Sequence, residues 1–442
     1  MSARHTLGVL LLALASRLAH HGVIWVEEAY PSAAAINILH GRLPYIDFWF
    51  DKPPLTAFLY TLWGGEAGIP LRLAGALYVT LCAVLMAHVA GQALAGLLLA
   101  FFLTFEVPDA ALVLGPDMLT LAPVMGAMLL RETRPLAAGV VLSLGFQANT
   151  KAILFVPLLG SWRALAGFAA VSLPALGFWS WEQVWEWGAL YARDSFLTDP
   201  LRTGLQKTGA WLGFHAALAL AAVRAPWNRT AVLWLVAALA AAVAGWRFFP
   251  RYYFHLLPPL CWMAASGWSR WGRARWAVAA LLLIPLFRFA PSYWRPERSR
   301  DLALFRDSRL AADLINQWRQ PGDTLFVWGY RPEIDMLTRL PGGTPYLESQ
   351  PLTGVFADRH LRLSRPSADG APHRRRLAGT RPTFVVDGLG RYNPDLALTR
   401  YPDLAHWLAG YREIGRTTGT IIYRHRFASS PDGPPAASGP LR

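Results

Sequence analysis

The sequence predicts a polytopic α-helical membrane protein, with about eleven transmembrane helices, followed by a small C-terminal α/β domain. Three observations carry that prediction. Of 442 residues, 54% are hydrophobic and only 16% are charged, against about 25% charged in an ordinary soluble protein. Apolar runs recur from residue 6 to residue 290 and then stop. From residue 297 the composition turns polar and alternates helix-like and strand-like segments.

The spans run, in order, over 5–24, 68–89, 92–106, 117–130, 135–148, 151–160, 164–180, 208–222, 230–246, 252–268 and 275–290. The first is read as a retained helix rather than a signal peptide, because the cleavage-like ALAS at 13–16 arises easily in alanine-rich sequence. With the N-terminus cytoplasmic, one set of loops carries Arg131, Arg134, Arg163, Arg224, Arg229, Arg270, Arg273 and Arg275 against the single acid Glu132. The other face carries Glu27, Glu28, Asp47, Asp51, Glu106, Asp109, Asp117, Glu182, Glu186, Asp194 and Asp199. Merging the short spans 151–160 and 164–180 would turn Arg270–Arg275 outward, so the two are kept separate. The expected place is a cell membrane, with the C-terminal domain extracytoplasmic.

The domain limits expected from composition are 1–295 for the membrane part, 296–427 for the α/β domain and 428–442 for a disordered tail. The stretch RDLALFRDSRLAADLINQWRQPGDTLFVWGY reads as an amphipathic helix, a turn and a strand at 324–329. RPTFVVDG at 381–388 and TIIYRHRF at 420–427 read as further strands.

Several function classes fall away. The net charge of +14 comes from arginines between spans and in the C-terminal region, without a basic-aromatic stripe, so nucleic acid is not an expected partner. Histidines are scattered, and Cys82 and Cys261 sit inside apolar spans, so neither a metal site nor a disulfide framework is expected. No cofactor is expected, and no glycine-rich nucleotide loop occurs in the C-terminal region.

Chemistry-bearing residues concentrate on the acidic face. Glu27 and Glu28 follow the first span; a carboxylate there serves as a base or merely favours the positive end of a helix. Lys52, one of only three lysines, precedes Pro53 and Pro54. The prolines mark a helix start, yet an ammonium beside acids also suits a phosphate oxygen. GWRFFPRYYFHLLPPL places Arg247 and Arg251 among Tyr252 and Tyr253, either as interfacial anchors or as a clamp for a lipid-linked phosphate, with the aromatics lining a slot. Asp117 at the edge of an apolar helix, Asp109 nearby, and Lys151 in ANTKAILF complete the set.

EEAYPSAAAINILHGRLPYIDFWFDKPPL resembles the first extracytoplasmic loop of the GT-C glycosyltransferases of family 39, which include the dolichyl-phosphate-mannose protein mannosyltransferases and the bacterial aminoarabinose transferases. GRLPYIDF and DKPPL match the family's G-x-x-P-Y-x-D and K-P-P-L; RFFPRYYFHLLPPL, LGPDML and ANTKAILFVP resemble its later segments. The resemblance covers residues 5–290 and, more loosely, GDTLFVWGYRPEID. It implies an inverting transfer of sugar from a polyprenyl-phosphate donor to a protein, glycan or lipid acceptor, at the bilayer and without a catalytic metal. It implies catalytic roles among Glu27, Glu28, Asp117 and Asp109, with either glutamate as base, since Glu stands where the family usually has Asp. It implies donor-phosphate contacts from Lys52 and Arg251, with Arg247 and Lys151 beside them, and a donor slot including Tyr45, Tyr252 and Tyr253. The rival from another class is a transporter or flippase of a lipid-linked anion; a non-catalytic receptor would leave the glutamates and Lys52 without a task. The chain shows no internal repeat of the kind transporters are built from.

Overall fold

The computed structural model describes residues 1–193, 199–294, 300–360 and 367–426. The expected disordered tail at 428–442, and Asp194, lie outside the described residues. The chain is mostly helical, with one small sheet, and divides into two compact units: Met1–Gly22, Asp51–Thr56 and Gly68–Arg298 in the first, and Val23–Phe50, Ala57–Ala67 and Ser299–Arg442 in the second.

Helices stand at each of the predicted spans of the first unit. Ala3–Leu18, Ile69–Ala90, Ala93–Phe102, Pro116–Leu130 and Pro135–Ala148 come first. Thr150–Leu159, wound as a tight 3₁₀ helix, and Trp162–Phe178 follow as separate elements. Ala216–Val223, Arg229–Val243, Leu257–Gly267 and the Arg275–Ala280 and Leu283–Phe289 pair complete the series. Among the described residues, Ile69–Ala90 and the 44-residue run Pro250–Tyr293 are each long and apolar enough to cross a membrane. Trp162–Phe178 reaches that length only together with Trp181–Arg193, from which it is bent by 102°. The stretch expected as a long loop at 181–207 is therefore helical on both sides of its undescribed centre, as Trp181–Arg193 and Pro200–Phe214.

Local chemistry starts and seats these helices. Proline opens Pro108–Ala111, Pro116–Leu119, Pro135–Ala148 and Pro200–Phe214, where its missing N–H costs nothing. Ser161 and Asn228 cap their helices by accepting from Ala164 N and Ala231 N at 3.2 and 2.8 Å. Small residues allow backbone contact between helices: a Cβ on Gly139 would lie 1.8 Å from the Ala164 carbonyl oxygen, and one on Gly167 2.1 Å from that of Leu136.

Arg17 and Arg72 are fully buried in this unit. Arg17 donates to the carbonyls of Leu103 (3.3 Å) and Ala111 (2.8 Å), and Arg72 to that of Leu112 (3.0 Å). Both satisfy acceptors that helix ends leave open, and so hold the 103–115 turn that leads into Asp117.

The second unit carries a four-stranded sheet of order β1-β2-β4-β3, with β1 Leu325–Trp328, β2 Phe384–Asp387, β3 Tyr411–Arg416 and β4 Ile421–His425. β1 and β2 are parallel, and the other pairs antiparallel. The amphipathic helix forms over Arg300–Trp318 and lays Ala311 and Ile315 on Leu325, Val327, Phe384, Val386 and Ile422. Val26–Leu39 and the GRLPYIDFWF segment, a turn closed between Pro44 and Phe48, are part of this unit. Tyr30, Ala34, Phe48, Phe50, Ala57 and Leu347 form one buried cluster.

His360 in this unit is buried, its Nε2 is 2.9 Å from the Val355 carbonyl oxygen, and burial pushes its pKa from 6.5 down to about 4. The unfolded chain therefore binds the extra proton first as the pH falls, so stability present above pH 6.5 is lost toward pH 4. The loss is about 3 kcal/mol at full effect. Denaturation of the whole protein at about pH 7 and about pH 4.5 should show it, and His360→Gln should flatten it. An unchanged pH dependence in the variant would rule the imidazole out as its source.

Candidate functional site

The first unit gathers four polar side chains, those of Asn149, Lys151, Arg251 and His255, on one carboxylate. Asp117 lies in the first turn of Pro116–Leu130, where the positive end of the helix favours an anion, and it is only 5% exposed. Its Oδ1 accepts from Asn149 Nδ2 at 3.0 Å and Lys151 Nζ at 3.0 Å, and lies 3.2 Å from His255 Nε2. Arg251 Nε approaches Oδ2 to 3.8 Å. Asn149 also caps the Thr150–Leu159 helix by accepting from Lys151 N at 3.1 Å, which fixes where the lysine leaves the backbone.

Aromatic faces complete the cationic side. Lys151 Nζ sits 3.1 Å over the Tyr252 ring, and the Arg251 guanidinium lies 4.9 Å from the Phe249 ring centre and 5.7 Å from that of Tyr252. Lys52 pairs with Asp51 at 2.7 Å and acts electrostatically on Lys151. The Asp51–Thr56 segment is tied to the Pro135–Ala148 helix through Thr56 Oγ1, which donates to the Ala148 carbonyl at 3.4 Å.

Arg247 is differently engaged. It is fully buried, stacks 3.4 Å over the Tyr191 ring and donates to the Tyr191 carbonyl at 2.6 Å. Its neighbours Trp246 and Phe248 both have φ of 53°, a left-handed backbone that costs about 1–3 kcal/mol per non-glycine residue. That strain aims Arg247 inward and seats Phe248 against Gly204, where a Cβ would come within 2.4 Å of the ring.

Exposure separates the four cations. The side chains of Lys52 and Arg251 are 43% and 23% exposed, and that of Lys151 16%. Lys52 and Arg251 are thus the more accessible of the four, and Lys151 and Arg247 the more enclosed. Tyr252 belongs to this group, whereas Tyr253 is buried, with its hydroxyl 2.9 Å from Thr208 Oγ1 and its ring stacked on Trp211. Asp109 is exposed on the Pro108–Ala111 turn, next to the buried Glu106, whose Oε2 is 3.4 Å from His215 Nε2.

Glu27, Glu28 and Tyr45 belong to the second unit. Both glutamates fall in the first turn of Val26–Leu39, with Glu28 fully buried and Glu27 partly exposed. Tyr45 has φ of 69°, and its N–H donates to the Phe48 carbonyl at 2.8 Å, closing the turn of the GRLPYIDF motif.

Sequence reasoning missed Asn149, His255 and Tyr191. Asn149 and His255 stand within stretches singled out for neighbouring lysine and arginine, but neither residue type carries a spacing signal. Their common partner Asp117 is 138 residues from His255 in the chain.

No family model matches the chain, and no curated protein matches its sequence. Its fold is that of a crystal structure of ArnT from Cupriavidus metallidurans bound to undecaprenyl phosphate: TM-score 0.60, 15% identity, with 95% of this chain and 97% of that chain covered. The apo-state crystal structure of the same protein matches at a TM-score of 0.43 and 15% identity, covering 95% and 96% of the two chains. The chain thus shares the fold of the first of these structures, in line with the polytopic helical fold class that the sequence predicts.

Proposed function

We propose that the protein is an integral-membrane inverting glycosyltransferase that moves a sugar from a polyprenyl-phosphate donor to an acceptor hydroxyl or amine on the extracytoplasmic side. The observation that carries the proposal is the accessible Lys52 and Arg251 backed by the buried Asp117–Lys151 pair, in a fold shared with a protein crystallised with undecaprenyl phosphate.

The chemistry follows from charge. A carboxylate, Glu27 or Glu28, removes the acceptor's proton as its oxygen or nitrogen attacks the anomeric carbon. The bond between that carbon and the phosphate oxygen breaks, its electron pair stays with the phosphate, and polyprenyl phosphate departs from the opposite face, so configuration inverts. Lys52 and Arg251 stabilise the charge growing on the leaving oxygen. Asp117 keeps the cation group from repelling itself apart before the anion arrives. Tyr252 offers its face to the cations and to the sugar or lipid beside them.

A transporter of lipid-linked anions would use the same cations but needs no base. The acidic pair in the loop motif favours transfer.

Binding of polyprenyl phosphate tests the phosphate site directly. A charged hydrogen bond to phosphate contributes about 1.5–3 kcal/mol, so Lys52→Ala should raise Kd roughly 10- to 150-fold. An unchanged Kd would remove Lys52 from the site.

A further inference from the structure

Arg42 lies just beyond the Val26–Leu39 helix and joins two parts of the second unit that are 300 residues apart in the chain. Its Nη1 donates to Asn37 Oδ1 at 2.7 Å and to the Gly342 carbonyl at 2.5 Å. Its Nη2 donates to the carbonyls of Asp47 and Thr344, both at 2.7 Å. Asn37, fully buried on the helix, completes the joint by accepting from Gly342 N at 2.9 Å. A planar fork can hold four acceptors this way; an ammonium cannot.

The same helix is held along its length. Tyr30 packs 5.2 Å from Phe50 and 5.7 Å from Tyr330, ring centre to ring centre. In the middle, a Cβ on Gly65 would lie 3.0 Å from the Ser32 carbonyl oxygen, so only glycine lets that turn close against the helix. Beyond the helix, Trp49 N donates to the Pro345 carbonyl at 2.8 Å. The Tyr30 and Ser32 contacts lie on the helix whose first turn bears Glu27 and Glu28, and the Trp49 bond ties the segment that follows it to the 341–347 stretch.

From this we infer that Arg42 is a positioning residue and that the C-terminal α/β region is the scaffold of the base-bearing helix. The Arg42–Asn37–Gly342 joint locks the helix to the 341–347 segment, and that segment is anchored to the sheet where Leu325 N donates to the Pro341 carbonyl at 3.0 Å and Gly343 N to the Leu325 carbonyl at 2.8 Å. A helix anchored at one end carries the placement to the other, about 20 Å away for 14 residues. The inference rests on the proposed transferase chemistry for its catalytic consequence, but not for the joint itself.

Two measurements on the whole protein test it. A misplacement near 1 Å costs about 100-fold, so Arg42→Ala should lower kcat on that order. Donor KM should stay within about twofold, because Lys52 and Arg251 are untouched. Guanidinium ion should restore part of the kcat of Arg42→Ala, methylammonium should not, and Arg42→Lys should stay impaired. A raised KM at unchanged kcat, or a wild-type kcat in Arg42→Lys, would overturn the role.

Hydrogen exchange without donor is the second measurement. Arg42→Ala should speed exchange over 26–39 and 342–347 and leave 325–328 and 384–387 as in the wild type. Unchanged exchange over 26–39 would overturn the joint whatever the activity. A wild-type protein that turns over no polyprenyl-phosphate sugar would instead contradict the transferase proposal, with the exchange result still deciding this one.

Discussion

Glu27→Gln should transfer sugar about 10²–10⁴-fold more slowly than the wild type, the range that a positioned general base supplies. Glutamine keeps the side chain's length and its hydrogen-bonding oxygen but cannot take a proton. The loss should therefore fall on kcat, with binding of polyprenyl phosphate unchanged. Glu28→Gln is the control. Glu28 is fully buried on the Val26–Leu39 helix, whereas Glu27 is partly exposed, and an acceptor hydroxyl can reach only an exposed carboxylate. We therefore expect the larger effect at Glu27. A wild-type rate in Glu27→Gln with a large loss in Glu28→Gln would move the base to the neighbour, and wild-type rates in both would remove the base from the mechanism.

Asp117→Ala should cost about 3 kcal/mol of stability, because it strips the partner from a largely enclosed cation rather than a surface one. Lys151 loses its 3.0 Å partner, and Asn149 and His255 lose a common acceptor in the same step. Were Asp117 only an acid at a helix N-terminus, its removal would cost about 0.3–1 kcal/mol, so denaturation in detergent separates the two cases. Asp117→Asn keeps an acceptor oxygen and should lie between them. Transfer should fall in both variants as Arg251 and Lys151 lose their counter-charge.

Much of the membrane fold was legible because apolar runs leave a one-dimensional trace. Thr150–Leu159 and Trp162–Phe178 were separable on loop charge alone, and backbone contact at Gly139 and Gly167 shows why the second packs back as its own helix. Strands β1, β2 and β4 were legible from LFVW, FVVD and IIYRH. Strand β3, YREIGR, was not, since its mixed burial and three charges leave no apolar alternation.

The acids and lysines of the site stood out because charge is rare next to apolar spans. Their partners did not, because a network around one carboxylate is a property of three dimensions. Arg17 and Arg72 are the clearest case. Both lie within apolar spans and carry no sequence signal, yet they are fully buried and bind carbonyls of distant turns. The grouping of the first acidic loop with the C-terminal region was equally hidden, because Arg42 and Gly342 meet across 300 residues of chain.

The most direct test of the account supplies the purified protein, in vesicles, with a polyprenyl-phosphate sugar labelled in the sugar, together with native membranes as a source of acceptor. The account predicts that label leaves the donor lipid for an acceptor with its anomeric configuration inverted, that polyprenyl phosphate is released one for one, and that Lys52→Ala stops both. Movement of the donor across the bilayer with the sugar still attached, and no released polyprenyl phosphate, would contradict it.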